Sequence, residues 1–441
     1  MAMKSADIRE IVRTLLDATC DTVGEDGLLD SLALIDPRQN QFTRGLEVTV
    51  FFRRKKLIPA AIKLRTLGPA HLRYLSLTTS FDLLRQFLRN HYHLLGGNLY
   101  FPVAGASLLE QLSPEKVQLL VDRFAESDIL NPAPETCLFP LTIVRMDTSF
   151  DGNNFAMCTG ADLTSRPMVP QRFVPHLAGE VFPPFRDRAF STRPTASWLL
   201  VKAPSLDVGK KYRSSILGAV ALTMIHRYRH QFTGREVWGG AATLGSGWKY
   251  SDGPSHTPAI SSDIVLTAED AVWLTMLDEA ISSRSASHVR KLKALQYFYR
   301  SWFFADSERF AIHCITIDAI FGDDTGETGA TDAVVRGVDT LFEGRLDRDR
   351  VRLLMKLRNS VLHGGAPDIY DSKKYAKYYR EYGEDPVREM SALVAECLRR
   401  AVFDGKLREQ PDPFTQVIND AVSKGIMTPF KPEPILAPIA P

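Results

Sequence analysis

The sequence predicts an α+β protein in which a strand-containing N-terminal region precedes an all-α, helical C-terminal domain. Two observations lead to this prediction. Residues 1–255 mix helical periodicity with short stretches rich in β-branched and aromatic residues. Residues 256–410 hold five or six segments of helical periodicity with short connections, as in a helical bundle. A glycine-, serine- and proline-rich stretch at 238–258 separates the two patterns and is predicted to be the main domain boundary.

The N-terminal region is predicted to contain both helices and strands, with room for two subdomains. Apolar residues at helical spacing predict helices over 7–20, 81–97 and 211–232. Ser113 followed by Pro114 predicts the start of another helix, because serine caps helix N-termini and proline fits the first turn. The stretches FTRGLEVTVFF and LRYLSLTTS predict strands, and residues 130–200 predict strands and loops.

The C-terminal region is predicted to be a bundle of helices followed by a tail. Asp263 or Thr267 can cap the first helix, because both side chains can accept the free N–H groups at a helix start. Periodicity predicts helices over 268–283, 288–304, 307–322, 332–344, 345–363 and 385–403. Residues 411–441 are rich in proline and predict an extended tail.

The composition narrows the classes of function. A net charge of +2 and a hydrophobic content of 44% indicate a globular protein with no global signature of nucleic-acid or membrane binding. No apolar run approaches the roughly 20 residues of a membrane-spanning helix. The five cysteines lie far apart, so neither a disulfide framework nor a paired-cysteine metal site is predicted. A reducing cytoplasm is therefore the expected compartment, and no cofactor is expected.

The stretch LRNSVLHGG at 357–365 combines a helix end with an unusual set of polar residues. Apolar residues upstream form one helical stripe, and Arg358 lies at its edge, one turn after Leu354. His363 falls in the last turn, before a pair of glycines that can end a helix. In a purely structural interpretation, Arg358 pairs with a neighbouring helix and His363 binds terminal carbonyls. Core packing alone does not account for Arg358, Asn359 and His363 together.

The segment RNSVLHG resembles the Arg-x4-His signature of HEPN domains, in which a polar residue such as Asn359 commonly follows the arginine. The resemblance extends to ERFAIHCITIDAIFG at 308–322, which is similar to the helix preceding the motif helix in the ApeA-like branch of this superfamily. Asp318 occupies the acidic position there, where glutamate is usual. The resemblance covers residues 263–408 and implies a helical bundle that forms a homodimer, with two Arg-His sets in one cleft.

The resemblance also implies an activity, since many HEPN domains are metal-independent ribonucleases of bacterial antiviral or toxin systems. RNA carries its own nucleophile, the 2′-hydroxyl, so no metal-activated water is needed. His363 would act as general acid or base near neutral pH, and Arg358 would stabilise the charge that develops on the phosphate. Asn359 would orient the phosphate or the histidine, and Asp318 would hold Arg358 or Asn359. Cleavage would leave a 2′,3′-cyclic phosphate and a 5′-hydroxyl.

A second candidate site lies at 370–382, where tyrosines alternate with basic residues. Basic side chains neutralise phosphates and tyrosines stack on unpaired bases, so this segment is a candidate RNA-binding surface. The alternative is an amphipathic surface helix with its tyrosines packed inward and its lysines in solvent. The candidate RNA-binding residues are Lys373, Lys374, Tyr375, Lys377, Tyr378 and Arg380.

Other features favour structural interpretations. The basic run FFRRKK at 51–56 is typical of a strand end or hairpin turn in solvent, with a nucleic-acid groove as the alternative. The pairs His91/His93 and His226/His230 have spacings that could hold a metal, but cysteine and carboxylate partners are not close in sequence. No metal site is therefore predicted.

The leading hypothesis is a dimeric HEPN-type endoribonuclease. Residues 1–255 would sense a trigger, such as a phage component or a nucleic acid, or would restrain the nuclease. The alternative is a non-catalytic nucleic-acid-binding or dimerising scaffold that uses the helical domain as an interaction module. The two hypotheses differ in whether Arg358 and His363 share a cleft across a dimer or lie in separate buried contacts.

Overall fold

The computed structural model folds the chain into two compact units, Met1–Pro134 and Glu135–Pro441. The predicted α+β fold is confirmed, with strands in the N-terminal part of the described chain and only helices after residue 266. The structure describes residues 3–22, 27–34, 46–95, 105–177, 197–235, 237, 239–283, 285–322, 329–362, 368–428 and 434–437. Within these ranges, the description excludes the side chains of residues 33, 34, 46, 47, 70, 74, 359, 360 and 362.

The first unit combines helices with a small sheet. Its helices are α1 (Ser5–Ala18), α2 (Arg54–Leu67), α3 (Leu77–His91), α4 (Leu108–Gln111) and α5 (Pro114–Glu126). Its strands are β1 (Thr19–Cys20), β2 (Gly27–Leu34) and β3 (Leu46–Arg53). The strands form an antiparallel sheet in the order β1-β3-β2. The core of this unit includes the fully buried side chains of Leu15, Phe52, Leu64 and Phe124.

One local prediction in this unit is wrong, and the others are confirmed in whole or in part. The stretch LRYLSLTTS forms a 3-10 turn at Ala70–Tyr74 and the start of α3, not a strand. The Ser76 hydroxyl caps α3 by accepting the N–H of Thr79 at 3.0 Å, which favours a helix start over a strand. The run FFRRKK contains the end of β3 at Arg53, so the expected strand end is confirmed, and residues 54–56 begin α2 and do not form a hairpin turn. The strand expected in FTRGLEVTVFF is β3, and the helix expected after Ser113 is α5.

The second unit contains a six-stranded antiparallel sheet. The strands of this unit, six in that sheet and two in a separate pair, are β4 (Glu135–Leu141), β5 (Val144–Met146), β6 (Phe150–Asp151), β7 (Phe155–Thr159), β8 (Ser197–Ala203), β9 (Gly239–Leu244), β10 (Trp248–Ser255) and β11 (Ile264–Leu266). The sheet order is β10-β9-β4-β8-β7-β6, and β5 pairs separately with β11 in parallel. The glycine-rich stretch expected to be a domain boundary thus forms the β9–β10 hairpin inside this unit, whereas the two units divide after Pro134.

Helices make up the rest of the second unit. They are α6 (Leu206–Thr223), α7 (Ala271–Ser282), α8 (Ala286–Ser301), α9 (Asp306–Phe321), α10 (Ala330–Leu341), α11 (Arg348–Leu362), α12 (Lys373–Tyr382), α13 (Pro386–Phe403) and α14 (Thr415–Ser423). Helix α8 packs between α6 and α9, and α9 also contacts α10, α11 and α13. This arrangement is the helical bundle expected from the periodicity. No helix in the described part of the chain is both long and apolar enough to cross a membrane.

Asp278 joins the sheet to the helices. This α7 side chain is 5% exposed and accepts the backbone N–H groups of Asn153, Asn154 and Phe155 at 2.8, 2.8 and 3.2 Å. Asn153 and Asn154 lie in the turn between β6 and β7, and Phe155 begins β7. A carboxylate that accepts several backbone N–H groups is a strong anchor, because each bond is assisted by its charge. The sheet and the bundle are therefore connected within one unit.

The end of α6 and the C-terminal segment differ from their predictions. Helix α6 ends at Thr223 and not near residue 232, since the buried Arg229 side chain donates to the carbonyls of Ala221 and Met224 there. Residues 411–441 are not simply extended, because they include α14 and a 3-10 turn at Pro434–Leu436. Ile435 in that turn is 2% exposed, so burial of its side chain holds this segment on the bundle.

Candidate active site

The motif helix and the acidic helix meet at a side-chain ion pair. Arg358 of α11 donates an Nη1 hydrogen to Oδ2 of Asp318 on α9. The side chains are 14% and 28% exposed, respectively, so the pair lies at the boundary between core and solvent. Two residues that are 40 positions apart in sequence are thus brought together by the packing of α9 against α11.

Helix α9 fixes Asp318 near its C-terminal end. Phe310, Cys314 and Ile317 on the same helix are fully buried, so the helix presents Asp318 beside its core-facing side. The Asp318 carbonyl accepts the N–H of Gly322, and Arg290 of α8 donates to the carbonyls at this helix end. A cation on terminal carbonyls stabilises a helix C-terminus, so the position of Asp318 is well determined.

Helix α11 places Arg358 by burying the turns before it. Leu354, Met355 and Leu357 are fully buried, which sets the rotation of the helix. Near the start of α11, Arg350 donates to both oxygens of Glu389 on α13, at 2.9 and 2.7 Å. The apolar stripe and this bidentate pair hold the helix along its length, so the Arg358 side chain faces α9.

The electrostatics of the pair reflect partial burial. Burial raises the pKa of the Asp318 carboxyl above its ordinary value, and the Arg358 cation opposes that change. Burial also raises the pKa of the neighbouring Cys314 thiol, so Cys314 is a neutral packing residue and not a nucleophile. Among the described residues, neither Oδ1 of Asp318 nor Nε of Arg358 has a hydrogen-bond partner. The pair therefore retains a buried donor and a buried acceptor for a further group.

The remaining motif residues are only partly covered by the structure. Asn359 lies in the last described turn of α11, but its side chain is outside the described atoms. His363 and the two glycines after it lie outside the described residues. The structure thus brings Arg358 and Asp318 together as expected. The positions of the Asn359 side chain and of His363 stay predictions.

The basic, tyrosine-rich segment forms helix α12, and its residues face two ways. Tyr378 is fully buried, and its hydroxyl donates to Glu389, so it cannot stack on a base as predicted. Lys374 is partly buried and donates to the Lys356 carbonyl of α11 at 2.9 Å, while Tyr375 contacts Asp385 at 3.3 Å. Of the predicted RNA-binding residues, Lys373, Lys377 and Arg380 face solvent.

A buried polar centre that was not predicted from the sequence surrounds Glu389. This carboxylate is 1% exposed and accepts hydrogen bonds from Arg350, from Tyr378 and from the backbone N–H of Ile435 at 2.9 Å. It thereby connects α11, α12, α13 and the C-terminal turn. The available signal was its position between Val387 and Met390 on the buried stripe of α13, where a charged residue requires a partner.

Two of the histidines considered as metal ligands, His226 and His230, are both buried beside arginine cations. Within the described residues, no group of three His, Cys, Asp or Glu side chains could hold a metal ion. Burial and the nearby Arg229 cation lower the pKa of His226 to about 3. Burial and the Arg309 cation lower the pKa of His230 as well. Cations around both imidazoles disfavour a positively charged metal there.

Comparison of the chain with protein-family models, with curated proteins and with solved structures gives no match. The Arg358–Asp318 contact and the motif residues themselves are therefore the observations that bear on function.

Proposed function

We propose that the chain is a metal-independent endoribonuclease of the HEPN type that acts as a homodimer through its helical region. The observation that supports this most is the ion pair between Arg358 and Asp318. It joins the helix that carries the Arg-x4-His motif to the acidic helix expected beside it. Many unrelated helices contain an arginine and a histidine at this spacing. The presence of the acidic helix α9 beside α11 is therefore more informative than the motif alone.

The proposed reaction uses the 2′-hydroxyl of RNA as nucleophile. His363 takes the proton of that hydroxyl, and the 2′-oxygen attacks the adjacent phosphorus. The bond from phosphorus to the 5′-oxygen breaks. This oxygen takes up a proton from His363 of the other subunit in the proposed dimer, or from water. The products are a 2′,3′-cyclic phosphate and a 5′-hydroxyl, and no oxidant or metal enters the balance.

Arg358 has hydrogen-bond donors to spare for the phosphate. A guanidinium carries five N–H groups, and Asp318 takes a bond from one nitrogen, while Nε has no partner among the described residues. Donors fixed in this way stabilise a developing negative charge without reorganising during the reaction. Asn359, the next residue on α11, would orient the phosphate or the histidine.

Contact with the RNA substrate and control of the nuclease are assigned to other parts of the chain. The exposed cations of α12, Lys373, Lys377 and Arg380, are proposed to contact the RNA backbone. Residues 1–255 are proposed to sense a phage or nucleic-acid trigger, or to restrain the nuclease, in a bacterial antiviral or toxin system of the cytoplasm.

A second candidate function is a non-catalytic scaffold that binds nucleic acid or dimerises. The observation in its favour is the burial of Arg358, whose side chain is 14% exposed and already paired with a carboxylate. In this alternative, the ion pair only fastens α11 to α9, and the motif residues contact no substrate.

A cleavage assay separates the two functions. Purified full-length chain is incubated with labelled RNA and EDTA, with and without phage-derived nucleic acid as trigger. We expect cleavage that survives EDTA, cyclic phosphate ends on the products, and loss of cleavage in His363→Ala. Intact RNA under both conditions, or a His363→Ala variant as active as the wild type, would favour the scaffold.

A further inference from the structure

Helices α6 and α8 together present a row of cations on the second unit. Helix α8 carries four lysine or arginine residues and no acidic residue. Lys293, Tyr297 and Arg300 are three or four positions apart, so they lie on one face of this helix. Lys293 lies over the ring of Tyr297, with its Nζ atom 5.0 Å from the ring centroid. Lys211 of α6 is close enough to both cations for them to lower its pKa.

The backbones of the two helices hold this row in place. The Gln296 side chain donates to the Ser215 hydroxyl at 3.2 Å, and that hydroxyl donates to the Leu292 carbonyl at 3.1 Å. Gly218 of α6 lies directly against the backbone of Leu295, where a Cβ atom would collide with the Leu295 carbonyl. The cations are therefore carried by a rigid helix pair and not by loops.

Among the described residues, no carboxylate forms an ion pair with this row. Burial, then Lys293 and Arg300, lower the pKa of Lys211, and the nearby Asp207 carboxylate raises it. Burial and Arg300 lower the pKa of Lys293 in the same way. None of these three cations forms an ion pair with a carboxylate in the described part of the chain. Like charges held close together cost free energy, which an anionic ligand would recover.

A further cation of α6 is buried near the row. Arg213 of α6 is held between the rings of Phe139 and Tyr299, with its guanidinium carbon 5.3 and 5.9 Å from the ring centroids. Its Nη1 atom donates to Nδ1 of His256 at 2.9 Å, and the described residues offer no carboxylate to it. A buried cation with only neutral partners adds to the positive potential of the row.

We propose that Lys211, Lys293 and Arg300 form a binding surface for the phosphate backbone of a nucleic acid. Lys293 and Arg300 are seven positions apart, which spans about 10 Å along the helix. An extended row of this kind fits a chain of phosphates better than a single small anion. The surface is distinct from α12, and its role as an RNA site rests on the proposed function.

The row lies on the helix that also supports the Arg358–Asp318 pair. Arg290, one turn before Lys293 on α8, donates to the carbonyls of Ala319, Ile320 and Gly322 at the end of α9. Asp318 accepts the Gly322 N–H from the same helix end. An RNA strand bound along α8 would therefore run toward the end of the bundle where Arg358 lies.

Binding is tested separately from cleavage. The probe is a fluorescein-labelled single strand of 2′-O-methyl RNA, whose blocked 2′-oxygen cannot act as a nucleophile, with DNA of the same sequence as a second arm. Fluorescence anisotropy is measured on the full-length chain, with the triple variant Lys211→Ala, Lys293→Ala, Arg300→Ala. The matched control removes three exposed cations elsewhere on the same unit, by Lys406→Ala, Arg408→Ala and Lys424→Ala.

We expect the triple variant to bind at least about tenfold more weakly than the wild type. The magnitude of the slope of log affinity against log salt should fall by about 2, because each lost contact to a single strand contributes roughly 0.7 to that slope. The control should bind like the wild type. An equal loss of affinity for the RNA analogue and for the DNA would show that the surface binds phosphates of either nucleic acid. A loss of affinity for the RNA analogue alone would show that the surface selects RNA. Unchanged binding in the triple variant, equal loss in the control, or no binding by the wild type would overturn the proposal. Failure of cleavage with binding intact would count against the proposed nuclease only.

Discussion

Arg358 and Asp318 form an ion pair across two helices, and each keeps one buried polar atom without a partner in the described part of the chain. The Nε atoms of Arg309 and Arg399, which also form ion pairs, likewise lack a partner among the described residues, so this feature alone does not mark a ligand site. A hydrogen bond from a further group to Nε of Arg358 or Oδ1 of Asp318 would be favourable, since an unsatisfied buried group costs about 1–3 kcal/mol.

Asp318 is expected to act as a positioning residue for Arg358. Asp318→Asn should slow RNA cleavage by about 10- to 100-fold, because a misplaced catalytic group loses about this much. Burial raises the Asp318 pKa, so the wild type should lose the ion pair as pH falls, and at a higher pH than for an exposed aspartate. The pH dependence of single-turnover cleavage reports this directly. Protonation of the general base His363 gives an acid limb in both proteins, so Asp318→Asn should keep that limb and lose only the further fall that comes from Asp318. Asp318→Glu should restore part of the rate. An unchanged pH profile in Asp318→Asn would exclude this role.

Buried histidines are expected to make the protein unstable in acid. Burial and the Arg213 cation lower the pKa of His256 to about 3, whereas an unfolded chain titrates near its ordinary value of 6.5. Below pH 6.5 the unfolded state thus binds more protons, and stability is lost as pH falls toward 3. Between pH 7 and pH 5, His256 alone should account for about 2 kcal/mol of lost unfolding free energy.

Urea unfolding at the two pH values measures this effect. The loss on acidification should be smaller in His256→Gln than in the wild type by that amount. His176→Gln, which changes an exposed histidine of the same unit, serves as control and should retain the full loss. An identical loss in His256→Gln and the wild type would contradict the assignment.

Glu389 is expected to be a structural centre and not a catalytic group. Glu389→Ala leaves Arg350 as a buried, unpaired cation, so the free energy of unfolding should fall by about 3–5 kcal/mol. Tyr378→Phe removes only one hydroxyl from the same centre and should cost about 1 kcal/mol. Denaturant unfolding gives both numbers, with the exposed Glu381→Ala as a neutral control on α12. A stable Glu389→Ala protein would show that the hydrogen bonds around Glu389 contribute little.

Gly218 is expected to be required for the packing of α6 on α8. Alanine normally favours a helix over glycine by about 1 kcal/mol. At Gly218 the added Cβ would collide with the Leu295 carbonyl, and overpacking of this kind costs about 1–3 kcal/mol or more. Gly218→Ala should therefore lower the unfolding midpoint and weaken nucleic-acid binding, whereas Gly247→Ala, which meets no neighbouring atom, should do neither. A stabilised Gly218→Ala protein would show that the helices can separate.

The helical bundle could be predicted from the sequence because its helices repeat apolar residues with a clear period. Thr267 was one of two candidate caps, and its hydroxyl accepts the Glu269 N–H at 3.3 Å. The strand predicted in LRYLSLTTS was wrong because a single capping residue, Ser76, decides the local structure against the flanking β-branched residues. The hairpin of β9 and β10 was taken for a linker because its glycines allow close backbone approach within a sheet as well as flexibility between domains.

The candidate site was predicted in part for similar reasons. Arg358 and Asp318 could be paired before the structure because the resemblance supplied the neighbouring helix. Tyr378 was misassigned to RNA stacking because its buried partner, Glu389, is distant in sequence and belongs to another helix. The cations of α6 and α8 were not recognised as one surface, since Lys211 and Lys293 lie 82 positions apart and are brought together by the packing of α6 on α8.

The central claim is that Arg358 acts on the scissile phosphate. The most direct test is single-turnover cleavage of labelled RNA in EDTA by the wild type and by Arg358→Lys, with binding of the 2′-O-methyl analogue measured on the same samples. Lysine retains the charge but loses the planar set of donors, so we predict a cleavage rate at least about 100-fold lower with unchanged binding. An Arg358→Lys variant that cuts RNA at the wild-type rate would contradict the account.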